Sequence, residues 1–220
     1  MLVLLALVLL PAVVSACHTS ELHQSFGFWA WAHLARGLSL IALLLFLLWR
    51  NGEPLGRIGW RFRGRDLLLG ILLFVLWWLI QRKLPSVLFR AGLTGTPGSA
   101  FVSHPEGLAA AVLCAATLVA VVVWEESFFR GYLLLRLRGL GANAVVALLA
   151  SALLFSSQHG YQGQVGLVLT GLLGILSGAV YLWRKNLTAP IVMHLLLNLA
   201  AFYPVLWPLF RLLHALKITG

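Results

Sequence analysis

Long runs of apolar residues recur along this chain, and short polar connections separate them. Because roughly 20 apolar residues in a helix cross the hydrocarbon core of a bilayer, each run predicts a transmembrane helix. The first and fifth runs are short, so we expect six to eight helices. The runs cover residues 1–16, 28–49, 67–89, 108–129, 142–158, 164–183 and 188–210. The pattern therefore predicts an all-α fold, a polytopic transmembrane helical bundle.

The composition agrees with a membrane protein. Of the 220 residues, 61% are hydrophobic and 10% are charged, whereas a soluble domain usually carries about 25% charged residues. A formal net charge of +10 could indicate nucleic-acid binding. The basic residues, however, cluster at the ends of the apolar runs and form no continuous face. We therefore expect a lipid bilayer around the helices and no nucleic-acid partner.

Basic residues are divided unevenly between the two ends of the predicted helices. Segment 50–65 holds five arginines, whereas segment 17–27 has no Lys or Arg. Because Lys and Arg accumulate in cytoplasmic loops, segment 50–65 is predicted to be cytoplasmic. Alternating spans add Arg130, Arg136, Arg138, Arg184 and Lys185 to that side, and place Arg82, Lys83, Arg90, Arg211 and Lys217 on the other. Arg36 falls inside a predicted span and counts for neither side. The composition of the chain, rich in Leu, Ala and Arg, favours a bacterial inner membrane.

No break in composition separates the chain into independent domains. The longest polar connection, residues 90–107, divides residues 1–105 from residues 106–220, and the second part holds nearly all of the unusual polar residues. Residues 1–105 could carry substrate specificity. We expect both parts to form a single integrated membrane domain.

The two cysteines, Cys17 and Cys114, have no spacing typical of a disulfide framework or a metal site. The sequence VVSAC ending at Cys17 resembles the cleavage site of a bacterial lipoprotein. Because no basic side chain precedes it, as a signal peptide would require, we interpret residues 1–16 as a membrane span.

The stretch WEESFFR, residues 124–130, places three ionisable side chains in an apolar run. Each one costs about 2.5–3.5 kcal/mol in mid-membrane unless it is paired or hydrated. Glu126 and Arg130 are four positions apart and can pair on one helix face. Glu125 lies about 100° around the helix from Glu126 and stays free to point elsewhere. Alternatively, the stretch is the end of a span in the headgroup region, with Trp124 in an interfacial aromatic belt.

Two further apolar runs carry polar residues at a spacing of four. Phe155 and His159 share one helix face in LLFSSQHG, and His194 and Asn198 share another in PIVMHLLLNL. A lone histidine in such a place is often a hydrogen-bonded structural residue. Three helices that each carry such groups favour a shared hydrated cavity, and we therefore predict a buried polar site.

These side chains suit the hydrolysis of an amide without a covalent intermediate. A carboxylate can take a proton from water, imidazoles can orient that water, and donors can stabilise an oxyanion. The chain has no HExxH zinc motif and no glycine-rich phosphate loop. Two alternatives stay open: Glu125, His159 and His194 could bind zinc, or the buried charges could form the ion path of a transporter.

The predicted spans contain one geometric conflict. Glu125 falls near the cytoplasmic end of its helix, whereas His159 falls at the far end of the next. The two can meet if helix 108–138 continues further inward, or if span 142–158 tilts and starts later. We favour the first, because SFFRGYLLLRLRG contains no breaker before Gly139 except Gly131.

Three motifs in this order resemble those of the CPBP intramembrane proteases, also called the CAAX protease and bacteriocin-processing, or Abi, family. The resemblance covers about residues 120–200 and includes the FRG of EESFFRGYLL. The motifs are EExxxR (Glu125, Glu126, Arg130), FxxxH (Phe155, His159) and HxxxN (His194, Asn198).

The resemblance implies an intramembrane endopeptidase that cleaves a membrane-associated protein or peptide. It implies that Glu125 activates water with help from His159, and that His194 and Asn198 stabilise the oxyanion. The supporting residues would be Glu126 and Arg130, which hold these groups in place, and Phe155, which packs beside His159. We expect no cofactor, and zinc bound by Glu125, His159 and His194 is the alternative. A non-catalytic transporter or immunity-type membrane protein is the other alternative.

Overall fold

The apolar runs form helices throughout the computed structural model, which describes residues 25–95 and 105–202. Within these ranges the only β-structure is an isolated bridge between Gly95 and Gly163. The predicted all-α fold is therefore confirmed. In chain order the helices are α1 (Phe26–Arg50), α2 (Gly64–Arg90), α3 (Gly107–Glu125), a π-helix (Glu126–Leu133), α4 (Leu134–Gly139), α5 (Ala144–Ser157), α6 (Gly163–Arg184) and α7 (Thr188–Phe202), with 3-10 turns at Leu55–Ile58 and Gly160–Gln162.

Four of the described helical stretches are long and apolar enough to cross a membrane: α1, α2, Gly107–Gly139 and Gly160–Arg184. Helices α5 and α7 are apolar but shorter. The chain is thus a multi-pass membrane protein. The predicted span 1–16, Cys17 and the end of the predicted span 188–210 lie outside the described residues.

Helix α3 does not end at residue 129, because it continues through the π-helix into α4 and stops at Gly139. The preferred solution of the geometric conflict is therefore confirmed. With a rise of 1.5 Å per residue, Glu125 lies about 21 Å from the end of this helix. All residues from 124 to 134 are buried, so the headgroup interpretation of WEESFFR is wrong.

Small residues allow the helices of the N-terminal part to pack closely against those of the C-terminal part. Along α1 and α3, the Thr117 hydroxyl donates a hydrogen bond to the Ala30 carbonyl at 3.2 Å. Between α2 and α7, a Cβ at Gly70 would lie 2.7 Å from Val192. Small residues such as glycine let helix backbones approach closely in lipid. These two contacts join α1 to α3 and α2 to α7.

One end of the bundle carries most of the basic residues, and we call it the basic face. It comprises loop 51–63, turn 140–143 and turn 185–187, together with the ends of the helices that flank them. Arg136 pairs with Glu53 across this face, and the Arg136 guanidinium holds the pKa of the Glu53 carboxyl below its usual range. Arg184 contacts Asp66 at 2.8 Å. These pairs place the arginines of α4 and α6 on the side of segment 50–65, as the charge distribution predicted.

Arg130 is the exception, since it lies inside the bundle and not on this face. Its side chain is only 1% exposed.

Replacing Gly131 with Ala is expected to lower the free energy of unfolding by about 1–3 kcal/mol, the usual cost of overpacking. A Cβ at Gly131 would lie 2.7 Å from the Ile58 carbonyl oxygen, so loop 51–63 would have to shift. Gly139→Ala is the matched control, because no atom lies within 4 Å of a Cβ at Gly139. Denaturant unfolding in detergent measures both, and equal stability of the two variants would contradict the prediction.

Candidate active site

Glu126 and Arg130 form the expected ion pair, with 3.2 Å between Glu126 Oε2 and Arg130 Nε. Both side chains are 1% exposed. Arg130 Nε also donates a hydrogen bond to Ser177 Oγ of α6 at 2.7 Å. The guanidinium lies over the Phe155 ring, with Cζ 4.1 Å from the ring centroid, a favourable cation–π geometry. Arg130 therefore connects the π-helix to α5 and α6.

His194 lies between the two glutamates. Its Nδ1 is 2.8 Å from Glu126 Oε1, and its Nε2 is 3.7 Å from Glu125 Oε2. An ionised carboxylate only accepts hydrogen bonds, so Nδ1 donates its proton to Glu126 and Nε2 is directed at Glu125. The separation of 3.7 Å is too long for a direct hydrogen bond. One water oxygen can, however, lie within hydrogen-bonding distance of both atoms.

Phe155 packs between the two histidines and the arginine. Its ring meets His194 edge to face, with centroids 5.9 Å apart, and lies 5.0 Å from the His159 ring. His159 Nδ1 is 3.1 Å from the Phe155 carbonyl oxygen, so Nδ1 donates that bond and Nε2 is left as an acceptor. His159 also interacts electrostatically with Glu125. The second motif thus joins the first and third through Phe155.

Asn198 lies one turn beyond His194 on α7 and is half-buried. Its spacing of four places it on the same helix face as His194. The structure therefore brings Glu125, Glu126, Arg130 and His194 into direct proximity. Phe155 joins His159 to this group, whereas Asn198 is placed near it only by its position one turn from His194 on α7.

The π-helix widens the backbone at the first motif. π-helical segments are rare and often occur at functional sites. Ser151 Oγ donates to the Phe129 carbonyl at 2.8 Å, and Trp60 Nε1 donates to Ser127 Oγ at 3.0 Å. Sequence reasoning gave no role to Ser151, Trp60 or Ser177, although a hydroxyl inside an apolar helix was a signal for the two serines.

Two ionisable residues of α1 also belong to the surroundings of Glu125. His33 and Arg36 are half-buried, and both interact electrostatically with Glu125. The His33 ring lies 4.9 Å from that of Trp29, which stacks on Phe202 of α7. Two ionisable residues inside the apolar run 28–49 were a signal, available in the sequence, that α1 borders the polar site. Sequence analysis noted Arg36 but gave His33 no role.

The residues named for zinc do not form a ligand group in this structure. In the part of the chain that the structure covers, no three His, Cys, Asp or Glu side chains are grouped so that they could hold a metal ion.

The fold and this site define a multi-pass helical membrane protein with a buried cluster of carboxylates, imidazoles and a guanidinium. Residues 107–200 match the family model described as Type II CAAX prenyl endopeptidase Rce1-like. This segment, a little under half of the chain, is thus similar to the CAAX protease family, in agreement with the resemblance of the three motifs. No curated protein and no solved structure gave a significant match. All seven residues of the three motifs lie within the matched segment.

Proposed function

We propose that this protein is an intramembrane endopeptidase that hydrolyses a peptide bond of a membrane-associated protein or peptide, with Glu125 activating water. One observation carries the proposal: Glu125 Oε2 and His194 Nε2 lie 3.7 Å apart in a buried site. A single water between them would contact a proton acceptor and an imidazole, as general base catalysis requires.

Glu125 is the base because Glu126 is fully engaged. One oxygen of Glu126 accepts the His194 Nδ1 proton, and the other pairs with Arg130. Glu125 has no comparable strong pair within the motifs, and its side chain is 12% exposed, against 1% for Glu126. It can therefore take the proton of the attacking water and later transfer it to the leaving amine.

His194 and Asn198 stabilise the tetrahedral oxyanion in this mechanism. Because the His194 Nδ1 proton is held by Glu126, Nε2 donates to an oxyanion only when the ring is an imidazolium. The contact of Nδ1 with Glu126 Oε1 at 2.8 Å holds the ring with Nε2 toward the reacting group. The Asn198 amide would supply a second donor from the same face of α7.

His159 orients the water through its free Nε2. The bond from its Nδ1 to the Phe155 carbonyl fixes the tautomer and the ring direction. Phe155 is held in turn by the Arg130 guanidinium over its ring. The supporting residues thus position both imidazoles without touching the reacting atoms.

The experiment that tests the function compares the termini of membrane proteins by mass spectrometry in cells that express the wild type or Glu125→Gln. New termini that appear only with the wild type would identify the substrate. Glu106→Gln is the matched control, because Glu106 is exposed at the start of the same helix. A transporter or an immunity-type protein would give identical termini in all three strains, and that result would reject the protease.

Chelation is expected to leave cleavage unchanged, because the proposed steps use only protein side chains and water. The measurement is the cleavage rate of the purified protein before and after treatment with EDTA, together with its zinc content. Activity that disappears with zinc and returns when zinc is added would instead favour the ligand set Glu125, His159 and His194.

The matched family description names a prenyl CAAX endopeptidase, which supports a lipid-anchored or otherwise membrane-associated protein as the substrate. We place the enzyme in a bacterial inner membrane, in agreement with its composition.

A further inference from the structure

An open recess of about 590 Å³ lies on the basic face, between loop 51–63 and the end of α4. Three arginines converge on it: Arg57 from the loop, and Arg136 and Arg138 from α4. The remaining lining residues are Leu135, Gly139 and Leu140. Among the described residues that line the recess there is no carboxylate, so its charged groups are all positive.

One buried carboxylate fixes two of these arginines. Glu53, whose side chain is 8% exposed, lies 3.3 Å from Arg57 and accepts hydrogen bonds from Arg136 through both carboxylate oxygens. The Arg136 guanidinium also lies over the Tyr132 ring, with Cζ 4.6 Å from the ring centroid. Because a guanidinium carries five N–H donors, both arginines are held in place and still have donors for a ligand.

The single carboxylate of Glu53 cannot neutralise three guanidinium groups. Arg138 donates a hydrogen bond to the Ala142 carbonyl at 3.3 Å, and no acidic side chain of the described residues pairs with it. Arginines are common at cytoplasmic helix ends, but that tendency does not require three of them to share one recess. Their planar, forked donors suit the oxygens of a phosphate, so the recess fits a phosphate-bearing anion.

The recess lies at the level of the lipid headgroups. The helix 107–139 has 33 residues and is about 50 Å long, whereas the hydrocarbon core is about 30 Å thick. Its end, with Arg136 and Arg138 in the last turn, therefore reaches the headgroup region. Trp49 and Trp183 are 77% and 69% exposed at the ends of α1 and α6 on the same face, where an interfacial aromatic belt is expected.

Two leucines give the recess an apolar wall beside its charges. Leu140 is 71% exposed and Leu135 is half-buried. A soluble phosphate would gain nothing from this wall. The glycerol backbone and the first methylene groups of a phospholipid would be removed from water against it, which is favourable. Charge, depth and apolar surface together therefore favour a lipid.

We propose that this recess binds an anionic phospholipid of the cytoplasmic leaflet, with its phosphate on the three arginines and its acyl chains beside the two leucines. Basic pockets between transmembrane helices on the cytoplasmic side bind anionic headgroups in this way. The recess contains none of the seven motif residues, and the proposal does not depend on the protease activity.

Retention of lipid in native mass spectrometry tests the site. The full chain is delipidated in detergent and given equal amounts of phosphatidylglycerol and phosphatidylcholine, and the bound lipids are identified by mass. We expect the wild type to retain one phosphatidylglycerol in preference to phosphatidylcholine. The double variant Arg57→Gln with Arg138→Gln should lower this preference about 25-fold, roughly fivefold for each arginine. Arg136 is kept, because it holds Glu53.

Arg63→Gln with Arg65→Gln is the matched control, because it removes the same charge from exposed positions near the same face that do not line the recess. This control should retain the wild-type preference. The single variants Arg57→Gln and Arg138→Gln, each expected to lose about fivefold, repeat the test if the double variant does not fold.

Three results would overturn the proposal. A wild type without preference for phosphatidylglycerol would remove the site. An equal loss in the two double variants would mean that the lipid responds to the charge of the whole face and not to the recess. Displacement of phosphatidylglycerol by an equal concentration of glycerol 3-phosphate would identify a soluble phosphate, and not a lipid, as the ligand.

Discussion

Glu125→Gln is expected to reduce peptide cleavage by at least about 10²- to 10⁴-fold, the usual contribution of a general base. The amide has nearly the shape of the carboxylate but cannot accept the proton of the attacking water. The hydrogen bond to His194 Nδ1 and the ion pair with Arg130 should persist, because both are made by Glu126 and not by Glu125. The measurement is the initial rate of cleavage of a substrate identified from the new termini, reconstituted with the enzyme in lipid vesicles.

The control for this loss is Glu106→Gln, which makes the same chemical change just before the start of the same helix and should retain the wild-type rate. Both variants should elute as the wild type does from a size-exclusion column, so that a loss of fold is separated from a loss of chemistry. Cleavage by Glu125→Gln at the wild-type rate would remove Glu125 as the base.

Arg130→Met is expected to lower the free energy of unfolding by about 3–5 kcal/mol, the cost of leaving one member of a buried ion pair alone. Methionine keeps much of the side-chain length but removes the charge opposite Glu126 and the hydrogen bond to Ser177. Arg130→Lys should recover only part of this loss, because an ammonium lacks the planar guanidinium that lies on Phe155. Unfolding by denaturant in mixed micelles measures all of these variants.

Arg57→Met provides the contrast, because the Arg57 side chain is 54% exposed and its pair with Glu53 is on the basic face. Exposed pairs of this kind contribute about 0–1 kcal/mol. If the two methionine variants were equally stable, the Glu126–Arg130 pair would not be the buried structural contact that we describe. Activity should fall only in the Arg130 variants, since they alone disturb the support of His194 and Phe155.

Local spacing predicted much of the site. The spacing of four between Glu126 and Arg130 predicted their pair, because residues four apart face each other on a helix. The absence of a breaker before Gly139 other than Gly131 predicted the long helix that places Glu125 at mid-depth. The π-helix was not predictable in this way, since its contacts with Ser151 and Trp60 come from residues distant in the chain.

Apolar periodicity and motif order, both local properties of the chain, were enough to determine that this is an all-helical membrane protein. They also placed Glu125 and His194 in separate helices, whereas His159, predicted on a helix face with Phe155, lies in the turn after α5. Only the tertiary structure decided that Glu126 accepts the His194 Nδ1 proton, that Ser177 accepts a hydrogen bond from Arg130, and that loop 51–63 packs on the π-helix. The physical reason is the range of the interactions. Helix formation and bilayer insertion depend on neighbouring residues, whereas the partner of a buried charge depends on which helices pack together.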